Sequence, residues 1–291
     1  MSFSKLDEIV ELSRNENKPF WRIIIEDDMK ERNTSFEESF ETMRGMYHAM
    51  KQADLSYDAH LKSASGMAGG DGAKLEAFKN KKNRLIGDFL TEVMEKAVKM
   101  GESNACMKRI VAAPTAGSCG VIPAVLLSYA EKRKASEDRM VEALFVAAGI
   151  GEVIATSASI SGAEGGCQAE IGSASAMAAG AVTYLEGGDN ETIVHAAALA
   201  LKNMLGLTCD PVGGLVEVPC IKRNVSGAVN AVVSSQMAMA GIRSAIVPDE
   251  VIDSMRRIGK LLPSCLRETS QEGLAITPSA QQITKKLAQK S

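Results

Sequence analysis

Apolar positions recur at helical spacing over Phe3–Ser13 and again over Phe36–Leu61, which places them on one face of a helix. The stretch Ser63–Gly72, SASGMAGGDG, breaks that pattern and reads as a flexible loop. The pattern resumes over Ala73–Met100, predicting one long helix with Gly101 as its carboxyl-terminal cap. Farther along, Pro123–Lys134, Arg139–Ala158, Ala169–Leu185 and Glu191–Leu205 all read as helices. The turn EGGDN precedes the last of them and Gly206 stops it. Short strands stay open at Ile23–Ile25 and Leu215–Val218, but no strand–helix–strand rhythm and no internal repeat emerges. The fold class expected is mainly α, a compact helical domain with glycine-rich loops.

Charge divides the chain. Residues 105–247 carry 22 charged side chains in 143 positions, whereas the other 148 positions carry 47. The middle is therefore the buried heart and the flanks are its solvated cover. Three regions are expected: a helical amino-terminal region over 1–62 packed on the core, a main domain over 63–276, and a mobile or partner-binding tail over 277–291. Aromatics make up only 4% of the chain, so the core must be built from Ala, Val, Ile, Leu and 15 Met. A net charge of −3 gives no basic footprint for nucleic acid.

Two long uncharged stretches test a membrane reading. Ile110–Ala130 is interrupted by Pro114, Gly117, Gly120 and Pro123, and Asn224–Ile242 contains Asn, Ser and Gln. Both read as buried segments of a soluble protein. No charged region followed by an apolar run and a small-residue cleavage site opens the chain, which predicts a cytoplasmic location. Six cysteines are too dilute for a disulfide scaffold, so they are expected to be reduced there.

Three of those cysteines share a context. Cys167 follows Gly162, Gly165 and Gly166 and precedes a predicted helix, where amide donors and the helix dipole favour a thiolate. Cys209 and Cys220 bracket ten residues with two prolines and a Gly-Gly pair, a loop suited to neither helix nor central strand. All three lie in the least charged part of the chain. Thiolates bind metals and clusters, and free loop amides can donate to cluster sulfur. The competing reading is a set of small buried residues. Zinc fits poorly, because no closely spaced cysteine pair exists and no His adjoins these loops.

The motifs EGGCQAEIGSASAMAAGA, CDPVGGLVEVPCIKRN, APTAGSCGVIPAVL and SGMAGGD resemble the alpha chain of iron–sulfur-dependent L-serine dehydratases, from about Ser63 to RETSQEGLA near the carboxyl terminus. That resemblance implies a 4Fe-4S cluster held by Cys167, Cys209 and Cys220, with one iron left open to substrate. It further implies a lyase converting L-serine to pyruvate and ammonium, the open iron acting as Lewis acid on the substrate hydroxyl. A separate module carrying SSHT-type residues belongs to such enzymes and is not found in this sequence, so a beta chain is the expected partner in a hetero-oligomer. Pyridoxal phosphate is a weaker alternative, since no lysine sits in a phosphate-binding context. Two other readings stay open: a non-catalytic iron–sulfur sensor or scaffold, and the same chemistry on L-threonine.

For the substrate, the APTAGSCG segment offers Thr115, Gly117 and Ser118. Pro114 could open a helix whose amides and hydroxyls face an anion, against the plain reading of a packing turn. The resemblance tips these residues toward substrate contact, and Ser65 and Asp71 likewise, in a loop closing over the site. Arg223 and Asn224 follow Cys220 and could orient a carboxylate or a cluster sulfide, or be structural. Among the three histidines, His195 lies in a nearly apolar helix and reads as core, while His60, at the end of a predicted helix beside the Ser63–Gly72 loop, is the candidate base. Cys106, Cys119 and Cys265 are expected to be non-ligands. Related dehydratases can place a capping cysteine at the carboxyl terminus, a role Ser291 does not fill, and Glu272 stands where the resemblance leads one to expect a second glycine.

Overall fold

In the computed structural model, which describes residues 3–82 and 84–289, the chain is a helical assembly with no strand among the described residues. Its helices are α1 (Leu6–Glu16), α2 (Phe20–Arg32), α3 (Phe36–Leu55), α4 (Asp71–Lys79), α5 (Asp88–Ala105), α6 (Val121–Arg133), α7 (Glu137–Ser157), α8 (Gly162–Gly165), α9 (Ser173–Leu185), α10 (Asn190–Lys202), α11 (Cys220–Met239), α12 (Pro248–Leu261) and α13 (Pro278–Ala288).

The centre is α9, whose sequence SASAMAAGAVTYL is buried along its whole length. Small side chains let neighbouring backbones approach, so α6, α7, α10 and α11 all pack against it. A Cβ at Gly180 would overlap Ile150 of α7 and touch Ile193 of α10 at 3.4 Å. Two of the hydroxyls buried with it bond to backbone: Ser175 donates to the Gly227 carbonyl at 2.8 Å, and Thr183 to the Ala179 carbonyl at 2.7 Å. One aromatic cluster joins α3 to α7, where Phe40 stacks on Phe36 and Phe145 with centroids 5.4 and 6.3 Å apart.

The mainly α expectation stands, with corrections. The second predicted helix stops at Leu55, not Leu61: Ser56 N–H bonds back to the Gln52 carbonyl, and the chain turns so that Tyr57 can donate to Glu102. His60 therefore lies exposed in a turn beyond the helix rather than at its end. The predicted Ala73–Met100 helix is two helices folded against each other, and Asn83, between them, lies outside the described residues. Lys79, Lys81, Lys82 and Arg84 repel at helical spacing, and Gly87 at the N-cap starts α5 afresh. Ion pairs then hold the hairpin, Lys79–Glu95 at 2.9 Å and Lys99–Glu76 at 3.2 Å. Gly101 is no cap: it lies inside α5, where a Cβ would stand 3.1 Å from Ile221 of α11.

Both open strand segments resolve otherwise, Ile23–Ile25 inside α2 and Leu215–Val218 in a turn. Pro114 opens no α-helix; a single 3-10 turn, Ala116–Ser118, follows it. The residues beyond Thr277 form α13, capped by the Thr277 hydroxyl and packed against the Val212–Gly214 turn; Lys290 and Ser291 lie outside the described residues. By length and composition α7 could cross a membrane, yet 67% of its apolar window is buried inside the protein.

Candidate active site

Cys167, Cys209 and Cys220 come to one end of α9 and α11, Cys209 from a loop and Cys220 as the first residue of α11, and all three are buried. Gly166 makes the first approach possible: its φ is +76°, and a Cβ there would stand 2.9 Å from the Leu207 carbonyl. Gln168 then ties the Cys167 loop to the Cys209 loop. Its N–H donates to Leu207 at 3.0 Å, its side-chain oxygen accepts from Gly206 N–H at 2.8 Å, and its amide nitrogen donates to Met255 at 3.1 Å. Cys209 is pinned from the carboxyl-terminal side by an isolated bridge to Arg267, its N–H donating to Leu266 at 2.9 Å and its carbonyl accepting from Glu268 at 2.8 Å.

The thiols act on one another. Burial pushes Cys167 up to about 11 and Cys220 up to about 12, and Cys167 raises Cys220 further. Cys209 is raised as well, by burial first and then by Cys167. Burial thus overrides the dipole that the sequence suggested would favour a thiolate at Cys167. Arg223 is the countercharge: it hydrogen-bonds Cys167, donates to the Thr208 carbonyl at 2.8 Å and pairs with Asp210 at 2.9 Å.

Asp210 in turn accepts from Leu274 N–H at 2.8 Å, and a Cβ at Gly273 would come within 2.5 Å of its carboxylate. That glycine is the indispensable one of the pair. Glu272 sits at φ −150° and ψ −178°, extended backbone that any residue adopts, which accounts for its tolerance there.

Asn224 is the joint between the cysteines and the APTAGSCG loop. Fully buried, it accepts from Gly120 N–H at 2.8 Å and donates to the carbonyls of Gly117 at 2.8 Å and Cys220 at 2.9 Å. All its bonds are to backbone, so it positions the loop. Thr115 faces the site, donating to Glu170 at 2.8 Å and lying 3.1 Å from the Ser118 hydroxyl. Ser65 gives its hydroxyl to Glu217 at 2.7 Å, and Asp71 pairs with Lys222 at 2.6 Å and Lys74 at 2.8 Å.

Among the histidines, His195 accepts from Ser244 N–H at 3.2 Å and His48 meets Glu137 at 2.9 Å, each satisfied away from the cysteines. Cys119 turns toward α5, 3.8 Å from the Met100 carbonyl, and burial pushes it up to about 12; Cys106 and Cys265 are partly exposed.

The residue that sequence reasoning missed is Glu170. Its half-buried carboxylate acts on all three thiols and is raised by burial, with Glu268 adding to the rise. One signal was present: it is the only charged residue between positions 165 and 185.

Could this donor set hold a cluster? No group of three His, Cys, Asp or Glu side chains is drawn together as a single metal ion needs, among the described residues. A cubane spreads its thiolates over separate irons, so its ligands need not converge on one point. Three buried thiols on hydrogen-bonded segments, balanced by one guanidinium, fit that demand.

A family model described as "Serine dehydratase alpha chain" matches residues 15–275. A protein named "Probable L-serine dehydratase, alpha chain" from Bacillus subtilis is 44% identical over 98% of this chain and 95% of its own length. The "L-serine dehydratase, alpha chain" of Peptoniphilus asaccharolyticus is 38% identical over 95% of each. The longer "L-serine dehydratase TdcG" of Escherichia coli is 48% identical over 62% of this chain but only 40% of its own length. With a match of that extent and cysteine loops of this construction, the chain belongs to the serine dehydratase alpha-chain family.

Proposed function

We propose that this chain is the alpha chain of an L-serine ammonia-lyase, with Cys167, Cys209 and Cys220 holding a 4Fe-4S cluster. The observation that carries the reading is three buried thiols that act on one another, beside a Thr115–Gly120 loop that Asn224 ties to the Cys220 backbone. When bound, such a cluster supplies an iron without a protein thiolate, a Lewis acid for the departing hydroxyl of serine.

The chain's own residues do the rest. Arg223 offsets thiolate charge and locks the Cys209 loop through Asp210. Asn224 fixes the distance between that loop and the hydroxyls of Thr115 and Ser118, and Thr115 and Glu170 line the space between them. Burial of the cysteines keeps bulk water from them. Serine loses a proton from Cα and hydroxide from Cβ; the aminoacrylate tautomerises and takes up water, giving pyruvate and ammonium.

The longer single-chain relative extends well beyond the aligned region. That difference in length supports a two-polypeptide enzyme in which a beta chain completes the site, working in a reducing cytoplasm. The test is iron and acid-labile sulfide on protein isolated without oxygen, followed by pyruvate formation from L-serine with the beta chain present. About four iron and four sulfide per chain are expected. Zinc, or no metal after reconstitution, would sink the reading, and turnover of L-threonine alone would redirect it.

A further inference from the structure

We propose that Glu170 is the acceptor for the substrate's α-ammonium group, so that the site selects 2-ammonio-3-hydroxy acids over the same acids lacking nitrogen. The assignment rests on the serine dehydratase reading and names a subsite within it.

The carboxylate is built into the meeting point of the loops. Thr115 donates to Oε1 at 2.8 Å, while Oε2 accepts no hydrogen bond from the described residues. A Cβ at Gly117 would stand 2.9 Å from Oε1, and one at Gly162 would stand 2.8 Å from Oε2 and 3.2 Å from Cys209 Sγ. Glu170 and Cys209 therefore lie together against the Gly162 backbone, and the absence of a side chain at Gly117 and Gly162 is what lets both loops close on the carboxylate.

The neighbouring carboxylates are already answered. Asp210 has Arg223 and the Leu274 amide, Glu217 has Ser63 and Ser65, and Glu102 has Tyr57 and three backbone amides. Among the described residues Glu170 pairs with no cation, and the charge acting on it from Glu268 is of its own sign. A half-buried carboxylate among thiols is costly unless a cation arrives. Arg223 cannot serve, being engaged with Asp210 and Cys167. An ionised carboxylate has room for several donors, and the three N–H groups of an α-ammonium supply charge-assisted ones.

The experiment is calorimetric binding without oxygen, on the complete enzyme with its partner chain, using L-serine and 3-hydroxypropanoate as probes. The second keeps the carboxylate and hydroxyl but has no nitrogen. Wild type is expected to prefer L-serine. Glu170→Gln should lose roughly 10- to 100-fold in affinity for L-serine and almost none for 3-hydroxypropanoate, with Glu170→Asp in between. Iron, sulfide and thermal unfolding are measured on each variant, and the Asp variant decides if the Gln variant fails to load. Equal losses for both probes would mean a structural role and overturn the assignment. So would unchanged L-serine affinity, even with kcat reduced, since that pattern marks a proton-transfer group instead. Wild type that binds L-serine without deaminating it would overturn the functional reading and leave the ammonium subsite standing.

Discussion

Two glycine-rich loops, similar in composition, end up in opposite roles. Ser63–Gly72 is stitched down by carboxylates: Ser63 and Ser65 each donate to Glu217 at 2.7 Å, and the amides of Gly69, Asp71 and Gly72 donate to Glu102 at 3.1, 2.8 and 3.1 Å. Ala113–Gly120 is held by its backbone through Asn224, which leaves the Thr115 hydroxyl free to meet Glu170. In the first loop the polar groups are consumed by the scaffold, and in the second the Thr115 hydroxyl reaches Glu170, the carboxylate that acts on the cysteines. Glycine marks where a backbone comes close to something. The neighbouring carboxylate decides whether that something is scaffold or site.

The largest effect expected lies at the thiols that the second loop faces. If the proposed cluster is held as inferred, Cys209→Ala should drop iron to background and abolish pyruvate formation, because only two protein thiolates would be left to it. Helical circular dichroism should persist, since a small buried side chain is exchanged for a smaller one. If iron content and turnover survived the substitution, the cysteine loops would be packing elements only.

Glu102→Gln breaks the other loop. Glu102 is 1% exposed and takes four hydrogen bonds, three from amides and one from Tyr57 at 2.6 Å. An amide side chain can keep part of that set with its one oxygen but turns donors toward donors. We expect a loss of about 3 kcal/mol in unfolding free energy, read by denaturant titration, with kcat at saturating serine changed less than about threefold. A large fall in kcat with stability intact would reverse the roles assigned to the two loops.

Much of this was legible in the sequence. Apolar spacing located α1, α6, α7, α9 and α10 to within a few residues, because their buried faces are continuous. The break between α4 and α5 was not visible. Lysine is a good helix former, so local propensity continued where charge repulsion and the Lys79–Glu95 ion pair folded the chain back. The cysteine loops announced themselves through Gly and Pro. Glu170 did not, since glutamate within CQAEIG looks like any helical residue until tertiary packing removes its solvent. The exposure of His60 was hidden for the converse reason: nearness in sequence to a loop says nothing of burial.

Thr115→Val keeps the shape of the site loop and deletes its one donor to Glu170. A charge-assisted hydrogen bond of this kind is worth about 1.5–3 kcal/mol, so kcat/KM should fall roughly 10- to 100-fold. Iron and sulfide content per chain should be unaffected. An unchanged kcat/KM would show that Glu170 does not need Thr115 in order to be aimed.

The smallest effect belongs to Asp71, at the end of the stitched loop. Lys222 and Lys74 hold its carboxyl at about 2, against an ordinary value near 3.8. A depressed folded-state value means that the unfolded chain binds the proton more readily. The stabilisation is therefore fully present above pH 4 and is lost as pH falls from about 4 toward 2. The side chain is 35% exposed, so solvent screening limits the contribution to under about 1 kcal/mol. Asp71→Asn should lower the midpoint of thermal unfolding by only a few degrees at pH 7, and the difference from wild type should vanish near pH 2. High salt should shrink it as well. A gap that persisted undiminished in acid would place the cost in the turn rather than in the ion pairs, and the stitched loop would then depend on Glu102 and Glu217 alone.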